Sequence, residues 1–137
     1  MVLQHISLPE WDWDGLVFYE TVPEDAGIII AALKMAGCFG EDLERARANV
    51  TSGKPDTGLT YTDRELRNTV MVIGHTTSGR QLWNTLDHEK GHMAEHIADA
   101  LDIDRRGEEY QYLKGAIAQE MYPVAKKLLC ERCRGKD

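Results

Sequence analysis

Within one short stretch of this chain, His88, Glu89 and His92 combine residue types and spacing that can do chemistry. Two histidines four apart stand one above the other on a helix, with Cβ atoms roughly 5–6 Å apart. From there both imidazoles reach a single ion at about 2.0–2.1 Å per bond, and Zn2+ is the ion expected. Glu89 follows the first ligand directly, so it meets a water on the metal without binding the metal itself. Two ligands and an adjacent base are the physical content of an H-E-x-x-H pattern. The plain alternative is a surface helix that happens to carry histidines. Three of the five histidines, at 88, 92 and 96, fall inside one apolar-periodic helix, which argues against chance.

Such an ion needs a third protein ligand and one open position. A third histidine six residues after His92 would extend the motif, but that position is Ala98. His96 continues the ladder, yet a rigid helix does not bring three successive turns onto one ion. It is expected to pack or to support the ligands. Glu108 and Glu109 open the next helix after a short connection, which makes the two helices antiparallel neighbours. Both are eligible as third ligand. First-turn acids are also favoured by the helix dipole, which explains at least one of them without a metal.

The elements that must position these groups are legible around them. Ser78-Gly79-Arg80-Gln81 has the form of a capping box, and Leu82, Leu86, Met93, Ile97, Ala100 and Leu101 then recur at helical spacing to about residue 101. Before it, residues 59–62 and 68–74 read as a hairpin. Val70 and Val72 face one side and Met71 and Ile73 the other, so the second strand is covered on both faces. That strand is also expected to offer an edge to an extended peptide. Residues 51–58 form the clearest loop. Upstream, residues 15–21 read as a strand, and Thr21-Val22-Pro23-Glu24 as a box opening a helix to Ala36. A short helix follows over 41–49. Downstream, a helix covers 108–121, and Pro123 begins a last one ending near Leu129.

This order of strand, T-T-S-G turn, H-E-x-x-H helix and following glutamate resembles the zincin metallopeptidases in their glutamate-ligand, gluzincin-like arrangement. The string NTVMVIGHTTSGRQLWNTLDHEKGHMAEHIADAL with GEEYQYLKG is similar to small metallopeptidase-like proteins of bacteriophages and bacterial mobile elements. The resemblance spans about residues 59–122. It implies an α+β fold, a minimal zincin-like domain over 1–137. A small sheet or hairpin packs on the active-site helix and a ligand helix follows, with residues 1–50 as a strand-and-helix cover. It also implies Glu108 as the third ligand, with Tyr112 one turn later and Gly115 beyond; on the residues alone Glu109 stays eligible as the alternative. Asp87, Asp99 or backbone carbonyls would orient the histidines. In a catalytic site Glu89 is the general base, and Tyr112 or His75 helps the oxyanion. The expected substrate is a peptide or protein.

Composition narrows the rest. The chain has 137 residues, one domain by size, and a formal charge of −7. Sixteen basic against 23 acidic residues argue against general nucleic-acid binding. The longest apolar run, Ile28 to Leu33, is far too short for a membrane span. With no export signal in view, a cytoplasmic protein is expected. Oligomeric state is left open. Cys38, Cys130 and Cys133 read as free thiols. Cys130 and Cys133 form a lone C-x-x-C with no second pair, more coincidence than site. The reading from another class is a non-catalytic, zinc-containing interaction or regulatory module of phage or mobile-element origin.

Overall fold

The computed structural model describes residues 1–134, the last two as backbone only. In chain order these are β1 (Val2–Leu8), β2 (Trp13–Thr21), α1 (Ala26–Met35), α2 (Gly40–Thr51), β3 (Gly58–Asp63), β4 (Asn68–Gly74), α3 (Gly79–Leu101) and α4 (Glu108–Arg134). The fold is α+β, with one four-stranded mixed sheet ordered β1-β2-β4-β3. β1 pairs antiparallel with β2, β2 parallel with β4, and β3 antiparallel with β4.

The period-2 pattern of β4 sets the layers. Val70 and Val72 pack with Phe18 of β2 against Ile29, Ile30 and Leu33 of α1 and Leu43, Ala46 and Val50 of α2. Met71 and Ile73 face the other side with Ile6, Trp13 and Tyr19. There they meet Leu82, Leu86, Met93 and Ile97 of α3 and Leu113, Ile117, Met121 and Leu128 of α4. Each fully buried aliphatic side chain contributes about 1.5–3 kcal/mol. β4 lies between β2 and β3, so it offers no free edge to a peptide. β3 does.

Local chemistry accounts for most boundaries. The Ser78 hydroxyl accepts the Gln81 N–H at 3.1 Å, as a capping box requires. At the far end Asp102 takes a left-handed conformation (φ 56°), and its N–H and that of Ile103 return to Ala98 O. The upstream box lies one residue later than its sequence form suggests. Thr21 ends β2, and Asp25 accepts the Val22 N–H at 3.0 Å to start a 3-10 turn over Pro23–Asp25. Pro123 begins no new helix, because α4 runs through it. The ring is exposed, and the buried stripe Leu113, Ile117, Met121, Leu128 continues on both sides of it. Burial along that stripe outweighs one missing backbone hydrogen bond. Among the described residues no helix is long and apolar enough to cross a membrane.

Candidate metal and acid–base site

α3 carries its buried stripe at Leu82, Leu86, Glu89, Met93 and Ile97, so a carboxylate occupies a core position. Glu89 is 5% exposed. Its Oε1 accepts the Thr60 hydroxyl of β3 at 2.8 Å, and the same hydroxyl lies 3.3 Å from the Glu89 carbonyl. A buried carboxylate without such a donor would cost several kcal/mol. Gly58 makes the room. A Cβ there would lie 2.9 Å from Glu89 Cγ, 3.0 Å from Oε2 and 2.7 Å from the Val72 carbonyl.

His88 and His92 stand one turn apart on the exposed flank of that stripe. Their Nε2 atoms are 3.1 Å apart, with ring centroids at 4.7 Å and nearly perpendicular planes. Two nitrogens bound to one tetrahedral ion at about 2.0–2.1 Å stand roughly 3.3–3.4 Å apart. The observed spacing is slightly shorter than that and is also the distance of a hydrogen bond between the two rings. His88 and Glu89 line one cavity of about 330 Å3 with Asn49, Asp56, Gly58 and Asn84. A second hollow of about 380 Å3 adjoins it along β3, lined by Asn49, Arg45, Thr60, Thr62 and His96. Both lie between α2 and α3. Of the first fifty residues, α2 and the preceding Cys38 line this cleft, and Asn49 donates to the Gly58 carbonyl at 3.3 Å.

His96 is fixed through a chain of hydroxyls. Trp13 Nε1 donates to Thr69 Oγ1 at 3.0 Å, Thr69 and Thr62 hydroxyls meet at 2.8 Å, and Thr62 Oγ1 meets His96 Nδ1 at 2.9 Å. Indole N–H only donates. Thr69 is 1% exposed, so its own proton needs an acceptor, and Thr62 is the one at hand. Thr62 then donates to Nδ1, which puts the His96 proton on Nε2. Burial lowers the His96 pKa first and neighbouring His92 adds to this, while Glu95 and Asp99 oppose it.

The remaining sequence candidates lie elsewhere. Glu108 and Glu109 are exposed in the first turn of α4. Tyr110, beside them, lies near Glu95 and Asp99, and burial and those carboxylates raise its pKa. That end of α3 is roughly 14 Å beyond His92 at 1.5 Å per residue. Among the described residues no three His, Cys, Asp or Glu side chains gather closely enough to hold a metal. The third ligand thus rests on the resemblance alone. Tyr112 is 68% exposed on α4, and His75 lines a separate small hollow with Thr57 and Gly74. Asp87 pairs with Lys90 at 3.3 Å, and Asp99 holds Arg105 and, through its carbonyl, Arg64. Neither contact orients His88 or His92. Cys38 and Cys130 are free, and the Cys133 side chain lies outside the described residues.

Sequence reading missed Gly58, Thr60, Thr62 and Asn49. The alternation of Thr60 and Thr62 with Leu59 and Tyr61 was the available signal, since it marks one polar face on β3. No protein-family model, no curated protein and no solved structure matches the chain.

Proposed function

We propose that the cleft along β3 belongs to a zinc-dependent hydrolase of the cytoplasm that acts on peptide bonds. The observation that supports this most is the 3.1 Å approach of His88 and His92 Nε2 beside a buried glutamate held by Thr60. His88 and His92 would hold the zinc; the resemblance assigns Glu108 as third ligand, with Glu109 as the alternative, and either requires the first turn of α4 to move toward the histidines. A zinc ion there supplies Lewis acidity toward a water and toward the scissile carbonyl. Thr60 holds Glu89 Oε1, which leaves Oε2 to take the proton of the attacking water and return it to the leaving amine. In the antiparallel ladder, the Thr57–Gly74 hydrogen bond makes Leu59 and Tyr61 the paired residues of β3. The backbone groups of Thr60 and Thr62 then point outward. They form a rail for an extended peptide. Tyr112, 68% exposed on α4, is the expected helper at the carbonyl oxygen, and the His96 ring lies 6.1 Å from that of His92. The negative net charge agrees with a peptide partner rather than nucleic acid.

Metal analysis of protein purified without chelator is the first test, with about one zinc per chain expected. Glu89→Gln should keep the metal and lower peptide hydrolysis by about 10²–10⁴-fold. Glu108→Ala should release zinc and Glu109→Ala should not, and the reverse result moves the ligand by one residue. Zinc-loaded protein whose peptide turnover is nil and indifferent to Glu89→Gln is instead the non-catalytic module. Protein without zinc ends both readings.

A further inference from the structure

α1 is apolar on every side. Its sequence AGIIIAALKM holds one charged residue, Lys34. Ile29, Ile30 and Leu33 fill the core beneath the sheet, which accounts for one side only. On the other side Ile28 is 58% and Met35 85% exposed, seven residues and two turns apart, with exposed Ala31 between them. Just beyond the helix, Phe39 adds a further apolar side chain, 81% exposed, to this surface. It extends to Leu66, 57% exposed, whose Cδ1 lies 3.5 Å from where a Gly37 Cβ would stand. A helix apolar all round is ordinarily covered on all sides, and a contiguous patch of this kind marks an association site.

We propose that this face of α1 binds a second copy of the chain, the two α1 helices packing antiparallel about a two-fold axis beside Ala31. The face is its own complement, as a two-fold contact requires. Antiparallel pairing sets Ile28 of one copy beside Met35 of the other at both ends, and the small Ala31 pair lets the axes approach. Charge agrees with the same arrangement. Lys34 and Glu24 are exposed and form no ion pair within the chain among the described residues. The pairing carries Lys34 to the acidic turn Glu24–Asp25 of the second copy, where opposite charges meet. Area is sufficient as well. At these exposures the four large side chains offer roughly 500 Å2. Ala31 and the Lys34 stem bring this to the about 600 Å2 per partner at which standard interfaces begin.

Sedimentation equilibrium of the full chain across micromolar to submillimolar concentration should show a reversible monomer–dimer exchange. Ile28→Glu and Met35→Glu, both at exposed positions, should each raise the dissociation constant at least about tenfold with an unchanged circular dichroism spectrum. Lys34→Glu should weaken the dimer and Glu24→Lys should restore it. For geometry, Ala31→Cys in a Cys130→Ser, Cys133→Ser background should form a disulfide between copies under mild oxidation. Glu24→Cys in that background should not. A chain monomeric throughout overturns the proposal and leaves the face to another protein or to a membrane surface, and flotation with vesicles would choose between them. A dimer untouched by both glutamate variants, or cross-linked equally from position 24, overturns it too.

Discussion

A carboxylate in the buried stripe of a helix opposes folding unless something else requires it there. Among the described residues Glu89 has one donor, Thr60, and that hydroxyl has the Glu89 carbonyl as a second acceptor. Glu89→Leu should therefore stabilise the metal-free protein by about 1 kcal/mol or more in urea unfolding. A loss of stability would make Glu89 a structural anchor. His96 gives a pH signature. Its folded pKa is lowered, chiefly by burial, so the unfolded chain takes up the proton first. The associated stability is complete above the unfolded value of about 6.5 and declines as pH falls below it, levelling off beneath the folded value. Urea midpoints of metal-free protein between about pH 5 and pH 7.5 should show that decline, and His96→Gln should flatten it. Equal slopes in both proteins would place the titration elsewhere. His88, Glu89 and His92 were legible in the sequence because helical register is local. Their supports were not, since Thr60 lies 29 residues from Glu89 and Thr62 lies 34 from His96. Only the fold brings them together.

Two glycines of this site look alike in sequence and behave oppositely in the elements that hold them. A Cβ on Gly58 would meet the Val72 carbonyl at 2.7 Å and Glu89 at 2.9 Å, whereas one on Gly91, inside α3, meets nothing within 4 Å. Gly58→Ala should cost about 1–3 kcal/mol in unfolding free energy and weaken the site by displacing Glu89. Gly91→Ala should add about 0.5–1 kcal/mol, since alanine is the better helix former. Similar changes from both would mean that β3 shifts freely against α3. The ends of α3 could be read beforehand because Ser78 and Gln81 announce one and the polar run from Asp102 the other. β1 could not be read. Its residues VLQHISL alternate only weakly, and pairing with β2 defines it. Pro123 misled for the converse reason, since a residue-level rule yields to burial along the whole of α4.

At the scale of the whole molecule, residues 59–122 do not build the sheet alone. β2 is the parallel neighbour of β4, and Trp13 from that strand ends the hydroxyl chain that fixes His96. The pairing joins segments more than fifty residues apart, which no local pattern in either announces. It also leaves β3 as an outer strand flanked by two helices. Amide hydrogen exchange should record this as an alternation. The Leu59 and Tyr61 amides, committed to β4, should be slow, and those of Thr60 and Thr62, turned to the cleft, fast. A bound extended peptide should slow the second pair selectively, so the strand itself reports occupancy of the cleft before any substrate is known. Uniform exchange along β3 would mean that its outward groups are already engaged.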